Sequence, residues 1–142
     1  MILRVMKSDS EFINKLKKIK RRATPARIKM FEVINSSRSP ISADKIVKAV
    51  GVNKTTVYRD LDLFLKNNFI QEADFGDGIK RFELANLKHH HHLICLRCKR
   101  VQDVSFEENL DWEEKRIKKT RKFQVVRHDL EFFGYCHNCI QS

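Results

Sequence analysis

Along the first half of the chain, apolar residues recur at helical spacing. Phe12, Ile13, Leu16 and Ile19 share one face of a segment whose other face is rich in lysine, which predicts a helix over 10–20. A basic step, Lys20-Arg21-Arg22, leads to Thr24-Pro25. A threonine hydroxyl can accept from an orphan amide at a helix start, and proline suits the first helical position. A second helix is therefore predicted from Pro25 to about Ser36, burying Ile28, Phe31 and Ile34. Pro40 breaks the chain. Ser42 can cap a short third helix that buries Ala43, Ile46, Val47 and Val50, and Gly51 ends it. Only Val52 and Asn53 precede a fourth helix with Val57, Leu61, Phe64 and Leu65 on its apolar face, and two short helices joined this tightly read as helix-turn-helix. The pattern then changes. Phe69–Phe75 and Ile79–Leu84 are strand-like around the turn Gly76-Asp77-Gly78, and helices followed by a hairpin make a winged helix.

Beyond Leu84 the elements are shorter. Lys99–Val104 is predicted as a strand, Glu107 to about Lys122 as a charged helix with Leu110 and Ile117 inward, and Phe123–Phe133 as a strand. In that strand His128 shares the more apolar face with Val126, Leu130 and Phe132. Trp112 and the strand edge are the expected contacts with a second copy, because so small a sheet gains stability by pairing with its twin.

Composition narrows the function. The 142 residues carry a formal charge of +11, with no apolar run able to span a bilayer, so the expected polyanion is nucleic acid rather than a membrane. Residues 1–84 hold 18 Lys+Arg against 10 Asp+Glu, so +8 of the excess lies in the helical half. In that arrangement the fourth helix would enter a major groove. Its leading outward residues are Asn53, Lys54, Thr55, Thr56, Tyr58 and Arg59, of which Asn53 is better employed as the cap. Lys54 and Arg59 can neutralise phosphate or reach guanine, and Tyr58 can meet a thymine methyl or a phosphate.

Every cysteine in the chain belongs to one of two CxxC pairs, Cys95/Cys98 and Cys136/Cys139. Two such turns complete a tetrahedral thiolate shell, the arrangement zinc favours in closed structural sites. With no signal peptide, a reducing, cytoplasmic location and metal rather than disulfides are expected. The gap between the pairs exceeds the roughly 15 to 20 residues of a compact zinc ribbon, so a small domain must fold between the knuckles.

Taken together, Thr24-Pro25-Ala26-Arg27, Thr56-Val57-Tyr58-Arg59, Arg81-Phe82-Glu83 and the run His89–His92 followed by Leu93-Ile94-Cys95-Leu96-Arg97-Cys98 resemble the ferric uptake regulator family of metal-dependent repressors. The resemblance runs from about Lys15 to Cys139. It implies an α+β chain with a winged-helix DNA-binding domain at 1–84 and a metal-binding α/β dimerisation domain at 85–142. It also implies a homodimer on a double-stranded operator, with structural Zn2+ and a second, regulatory divalent ion (Fe2+, Zn2+, Mn2+ or Ni2+).

Side chains alternate along an extended strand, so His90 and His92 project to one side and His89 and His91 to the other. One regulatory site would use Glu83, His90, His92 and Asp103. Similar proteins add a histidine before the third helix, where this chain has Ser39-Pro40, and none of its six histidines lies upstream of His89. The other site would use His89, His91, Asp111 and His128, a borderline shell that accepts zinc, iron(II), cobalt or nickel. Two alternatives stand beside the repressor. One is a DNA-binding protein whose metals are purely structural. The other is a zinc hydrolase, which lacks HExxH and an obvious second general base. No small organic substrate is expected.

Overall fold

Three side-chain caps set the helices of the first half. Thr24 Oγ1 accepts from the Arg27 amide at 3.3 Å, Ser42 Oγ from Lys45 at 3.4 Å and Asn53 Oδ1 from Thr56 at 2.8 Å. Each satisfies an amide that has no intrahelical partner, worth about 0.5–2 kcal/mol. The computed structural model describes residues 2–141, and of residues 2–7 the backbone alone. The helices are α1 (Ile2–Lys18), α2 (Pro25–Ser36), α3 (Ala43–Val50) and α4 (Lys54–Lys66), with strands β1 (Ile41–Ser42), β2 (Ile70–Asp74) and β3 (Lys80–Leu84). Helix α1 starts well before the expected Ser10. The two-residue β1 was not expected. It pairs with β3 through Ile41↔Phe82 and gives the sheet the order β1-β3-β2. Gly51, at φ 75°, takes the left-handed turn that stops α3 and aims α4.

Phe12 organises the core. It stacks on Phe31 at 4.1 Å and meets Phe64 and Phe69 edge-on, around buried Leu16, Met30, Ile34, Ile46, Val57 and Leu61. Met30, not Ile28, is fully buried from α2. A buried carboxylate joins two of these helices. Asp60 on α4, 2% exposed, accepts from Arg27 Nε on α2 at 3.0 Å, and the same guanidinium donates Nη1 to the Arg22 carbonyl at 2.8 Å. At the hairpin turn Arg81 donates to both carboxylate oxygens of Asp77, at 3.1 and 2.8 Å. Those hydrogen bonds hold the Asp77 carboxyl below its ordinary range.

The first compact unit extends to Leu87 and the second begins at Lys88. The second contains β4 (His91–Cys95), β5 (Val101–Val104), α5 (Asp111–Arg121), β6 (Glu131–Gly134) and the single-turn α6 (His137–Ile140). Its sheet has the order β5-β4-β6, antiparallel between β4 and β5 and parallel between β4 and β6.

Two expectations are corrected. Helix α5 begins at Asp111 rather than Glu107 and has no buried residue, so Leu110 and Ile117 do not anchor it inward as expected. The Asp111 amide donates to Asn109 Oδ1 at 3.0 Å, a side-chain turn that competes with helix in the preceding residues. The expected long strand shrinks to Glu131–Gly134, because β4, its neighbour, pairs with it only from His92↔Glu131 onward. No helix among the described residues is long and apolar enough to cross a membrane.

Candidate metal centres and nucleic-acid interface

Strand β4 ends at Cys95, and the chain turns through Lys99 at φ 63° to begin β5, which folds Cys98 back over Cys95. Gly134 ends β6 beside Cys95 and delivers the second pair to the same spot. The four sulfurs lie within 4.8 Å of one another, and Cys98 Sγ is 3.7 Å from Cys136 Sγ. A tetrahedral shell with 2.3 Å bonds separates its sulfurs by about 3.8 Å, so the cysteines match zinc and form no disulfide.

Amides of Cys136 and Cys98 point at Cys95 Sγ and pull its thiol down to about 5. The Cys139 backbone lowers Cys136, while Cys139 itself is pushed up to about 12, chiefly by its hydrogen bond with Cys136. Without a cation, four thiolates this close cannot all ionise. Zinc bound there removes that conflict and contributes folding energy. Arg97, inside the first pair, donates to the Cys139 carbonyl at 2.7 Å and lies over the Tyr135 ring, strapping the knuckles together.

Upstream in β4 the histidines divide by side. His89 and His91 meet at 4.7 Å between ring centroids, and His90 and His92 at 4.9 Å. The odd pair gathers with His128 around a carboxylate, and that carboxylate belongs to Glu108. His91 Nε2 is 2.5 Å from Glu108 Oε2, His128 Nε2 is 3.0 Å from Oε1 and His89 Nε2 is 3.7 Å from Oε2. Asp111, the acid expected here from sequence, instead opens α5, and Glu108 reaches the histidines because residues before Asp111 are not helical. Both nitrogens of His91, both oxygens of Glu108 and Nε2 of His128 are buried without a hydrogen bond. Buried polar atoms are rarely orphaned, and Nε2 of His91 and Nε2 of His128 set against the two Glu108 oxygens are the lone-pair arrangement a cation would satisfy. His91 is 1% exposed and stacks on Phe106 at 4.6 Å, which fixes its ring. The His128 ring is held above its usual pKa, mostly by the hydrogen bond between Nδ1 and Glu114 at 2.9 Å.

The even pair faces Asp103 on β5, its cross-strand neighbour through His92↔Asp103. Asp103 oxygens lie 3.9 Å from His90 Nε2 and 3.7 Å from His92 Nε2. His90 Nδ1 lies 2.8 Å from the Lys88 carbonyl, which leaves Nε2 toward the carboxylate. Glu83 lies in the first unit, buried in β3, where it accepts from Gln71 Nε2 at 2.7 Å.

On α4 the inward residues Val57, Asp60, Leu61 and Phe64 leave Lys54, Thr55, Tyr58 and Arg59 exposed at the start of the helix, with Thr56 half-buried. Lys54 Nζ lies 5.6 Å over the Tyr58 ring, and Asn53 is committed to its cap. Sequence reasoning missed Glu108, Glu114, Arg97 and the Arg27–Asp60 pair. The acids Asp111, Glu113 and Glu114 in the first turn of α5 were the available sign that the helix starts late and that Glu108 precedes it.

A winged helix joined to a thiolate zinc centre and histidine–carboxylate clusters defines a metal-dependent DNA-binding regulator. The model of the ferric uptake regulator family matches residues 18–133, and the chain belongs to that family, whose members are metal-responsive transcription regulators rather than enzymes. It is 31% identical over 134 residues to the peroxide-responsive repressor of Staphylococcus epidermidis, covering 91% of this chain and 88% of that one. It is 32% identical over 122 residues to the ferric uptake regulation protein of Legionella pneumophila, with coverage of 82% and 89%. The structure of the ferric uptake regulator of Vibrio cholerae matches with a TM-score of 0.72 at 29% identity, covering 87% of this chain and 98% of that one.

Proposed function

We propose that the chain acts in the cytoplasm as a homodimeric repressor, and that a divalent ion at His89, His91, Glu108 and His128 sets its affinity for a double-stranded operator. The observation that carries this reading is the convergence of His91 Nε2 and His128 Nε2 on the two oxygens of Glu108, all four atoms buried without a hydrogen bond. Three imidazoles and one carboxylate suit zinc, cobalt, nickel or iron(II). A second ion is assigned to His90, His92 and Asp103. This set lacks an upstream histidine, because Ser39-Pro40 stands in that place. The first set therefore carries more of the response. Lys54, Thr55, Thr56, Tyr58 and Arg59 are the proposed DNA contacts.

The test is operator binding by fluorescence anisotropy, on a duplex selected from random sequence by the metal-loaded protein and titrated with manganese, cobalt or zinc. His128→Ala should raise the ion concentration needed for binding while saturated affinity changes little, because an ion shifts a two-state equilibrium only through differential binding. His90→Ala should shift the curve less. Should His90→Ala abolish the response while His128→Ala leaves it unmoved, the two sites exchange roles. If neither moves the curve, the metals are structural only.

A further inference from the structure

We propose that Glu114 is the positioning residue of the His89/His91/Glu108/His128 site, holding the His128 ring so that Nε2 alone faces the ion. This inference rests on the reading of that cluster as a metal site.

An imidazole has two nitrogens, and a metal-binding histidine presents one lone pair while the other nitrogen donates to a fixed acceptor. His128 meets this requirement from two directions. Its Nδ1 lies 2.9 Å from Glu114 Oε1, and its Nε2 is 3.0 Å from Glu108 Oε1 but makes no hydrogen bond. The two carboxylates therefore do different work. Glu108 lies among the imidazoles, with both oxygens buried and without a hydrogen bond, as ligand atoms would be. Glu114 is half-buried on the far side of the ring, one turn into α5, and its amide is already bonded to the Leu110 carbonyl.

The late start of α5 creates this division. If the helix ran from Glu107, Glu108 would be a helical residue. Because Asn109 turns the chain, Glu108 lies in the preceding segment and Glu114 on the helix face toward His128. His128 needs such a support more than its fellow ligands do. His91 is fixed by strand pairing and by Phe106, whereas His128 lies in residues 122–130, which have no regular strand partner among the described residues.

The experiment loads the cysteine site with zinc and titrates cobalt(II) alone into wild type, Glu114→Ala, Glu114→Gln and His128→Ala, reading the visible cobalt bands and the thermal midpoint. Glutamine retains an acceptor oxygen for Nδ1–H. Glu114→Ala should weaken cobalt binding roughly 10- to 100-fold, as loss of an outer partner of a ligating histidine does. Glu114→Gln should recover most of that loss, with zinc content and thermal midpoint unchanged. Loss of cobalt in His128→Ala with full binding in Glu114→Ala leaves the metal site standing and overturns the role of Glu114. Equal weakening in Ala and Gln variants together with a lowered midpoint also overturns it, since Glu114 would then act on folding. If wild type and His128→Ala take up cobalt alike, the metal site itself is wrong and this role falls with it.

Discussion

Replacing Arg27 with methionine measures how far the placement of α4 depends on one ion pair. Asp60 lies on the inward face of that helix, next to exposed Arg59, and its Oδ1 receives Arg27 Nε at 3.0 Å. Methionine retains most of the aliphatic stem, so the substitution removes the cation with little change in packing. Breaking a buried pair from one side costs about 3–5 kcal/mol, because the remaining carboxylate has lost both water and its partner. The Arg27 side chain is 15% exposed, so water can replace part of the lost contact. That places the expectation near the lower end, about 3 kcal/mol.

Against a domain stability on the order of 5–15 kcal/mol, this is a large fraction. With a urea slope of about 2 kcal/mol/M, the unfolding midpoint should fall by about 1.5 M. The double variant Arg27→Met/Asp60→Leu removes both charges and should recover most of the loss, since apolar replacement of a whole buried pair is often neutral or better. Urea unfolding of zinc-loaded protein, followed by circular dichroism, reads both. A single substitution costing under about 1 kcal/mol, or a double variant no more stable than the single, would refute the reasoning.

Cys136→Ser should release zinc and lower stability and dimer content together, because thiolate-bound zinc is coupled to folding; a stable dimer with full zinc content would sink the assignment. Arg59→Ala should weaken operator binding and, if Arg59 contacts phosphate alone, reduce the salt slope by about one; unchanged binding by folded protein would move the interface elsewhere. Asp77, depressed by Arg81, stabilises the fold above the ordinary carboxylate pKa of about 3.9 and loses that contribution as pH falls through its lower folded value. Asp77→Asn should therefore be less stable at neutral pH and show a shallower acid limb in unfolding; an identical acid limb would count against the wing contact. Val126 is 90% exposed in residues 122–130, so Val126→Asp should weaken the dimer at both copies of a two-fold interface, whereas an unchanged dimerisation constant by sedimentation would place the interface elsewhere.

The first unit was legible because its local signals and its tertiary needs agree. The caps at Thr24, Ser42 and Asn53, the stop at Gly51 and the apolar faces of α2 to α4 each specify the same boundaries twice. The second unit offered less. Helix α5 buries nothing, so no apolar stripe marks where it begins, and Glu107 to Leu110 have no feature against helix except Asn109. The alternation expected of Phe123–Phe133 is present in the residues, but a strand needs a neighbour, and β4 provides one only as far as Glu131. Arg27 and Asp60 lie 33 positions apart and are ordinary charges in the sequence; only folding brings them together.

The run of four histidines can build two distinct centres only if β4 keeps its register. A slip of one residue would exchange the sides of all four, because side-chain direction alternates with period two. The odd set finds Glu108 and His128, and the even set finds Asp103, so an exchanged strand would present each pair to the wrong acid. What pins the register is at the other end of the same strand. Cys95 closes β4 opposite Gly134, and its sulfur receives the Cys98 and Cys136 amides. Zinc held by the four thiolates would anchor the strand four residues from His91 and so fix the sides to which the histidines project. Removing that zinc should therefore disturb the histidine clusters as well as cost folding energy.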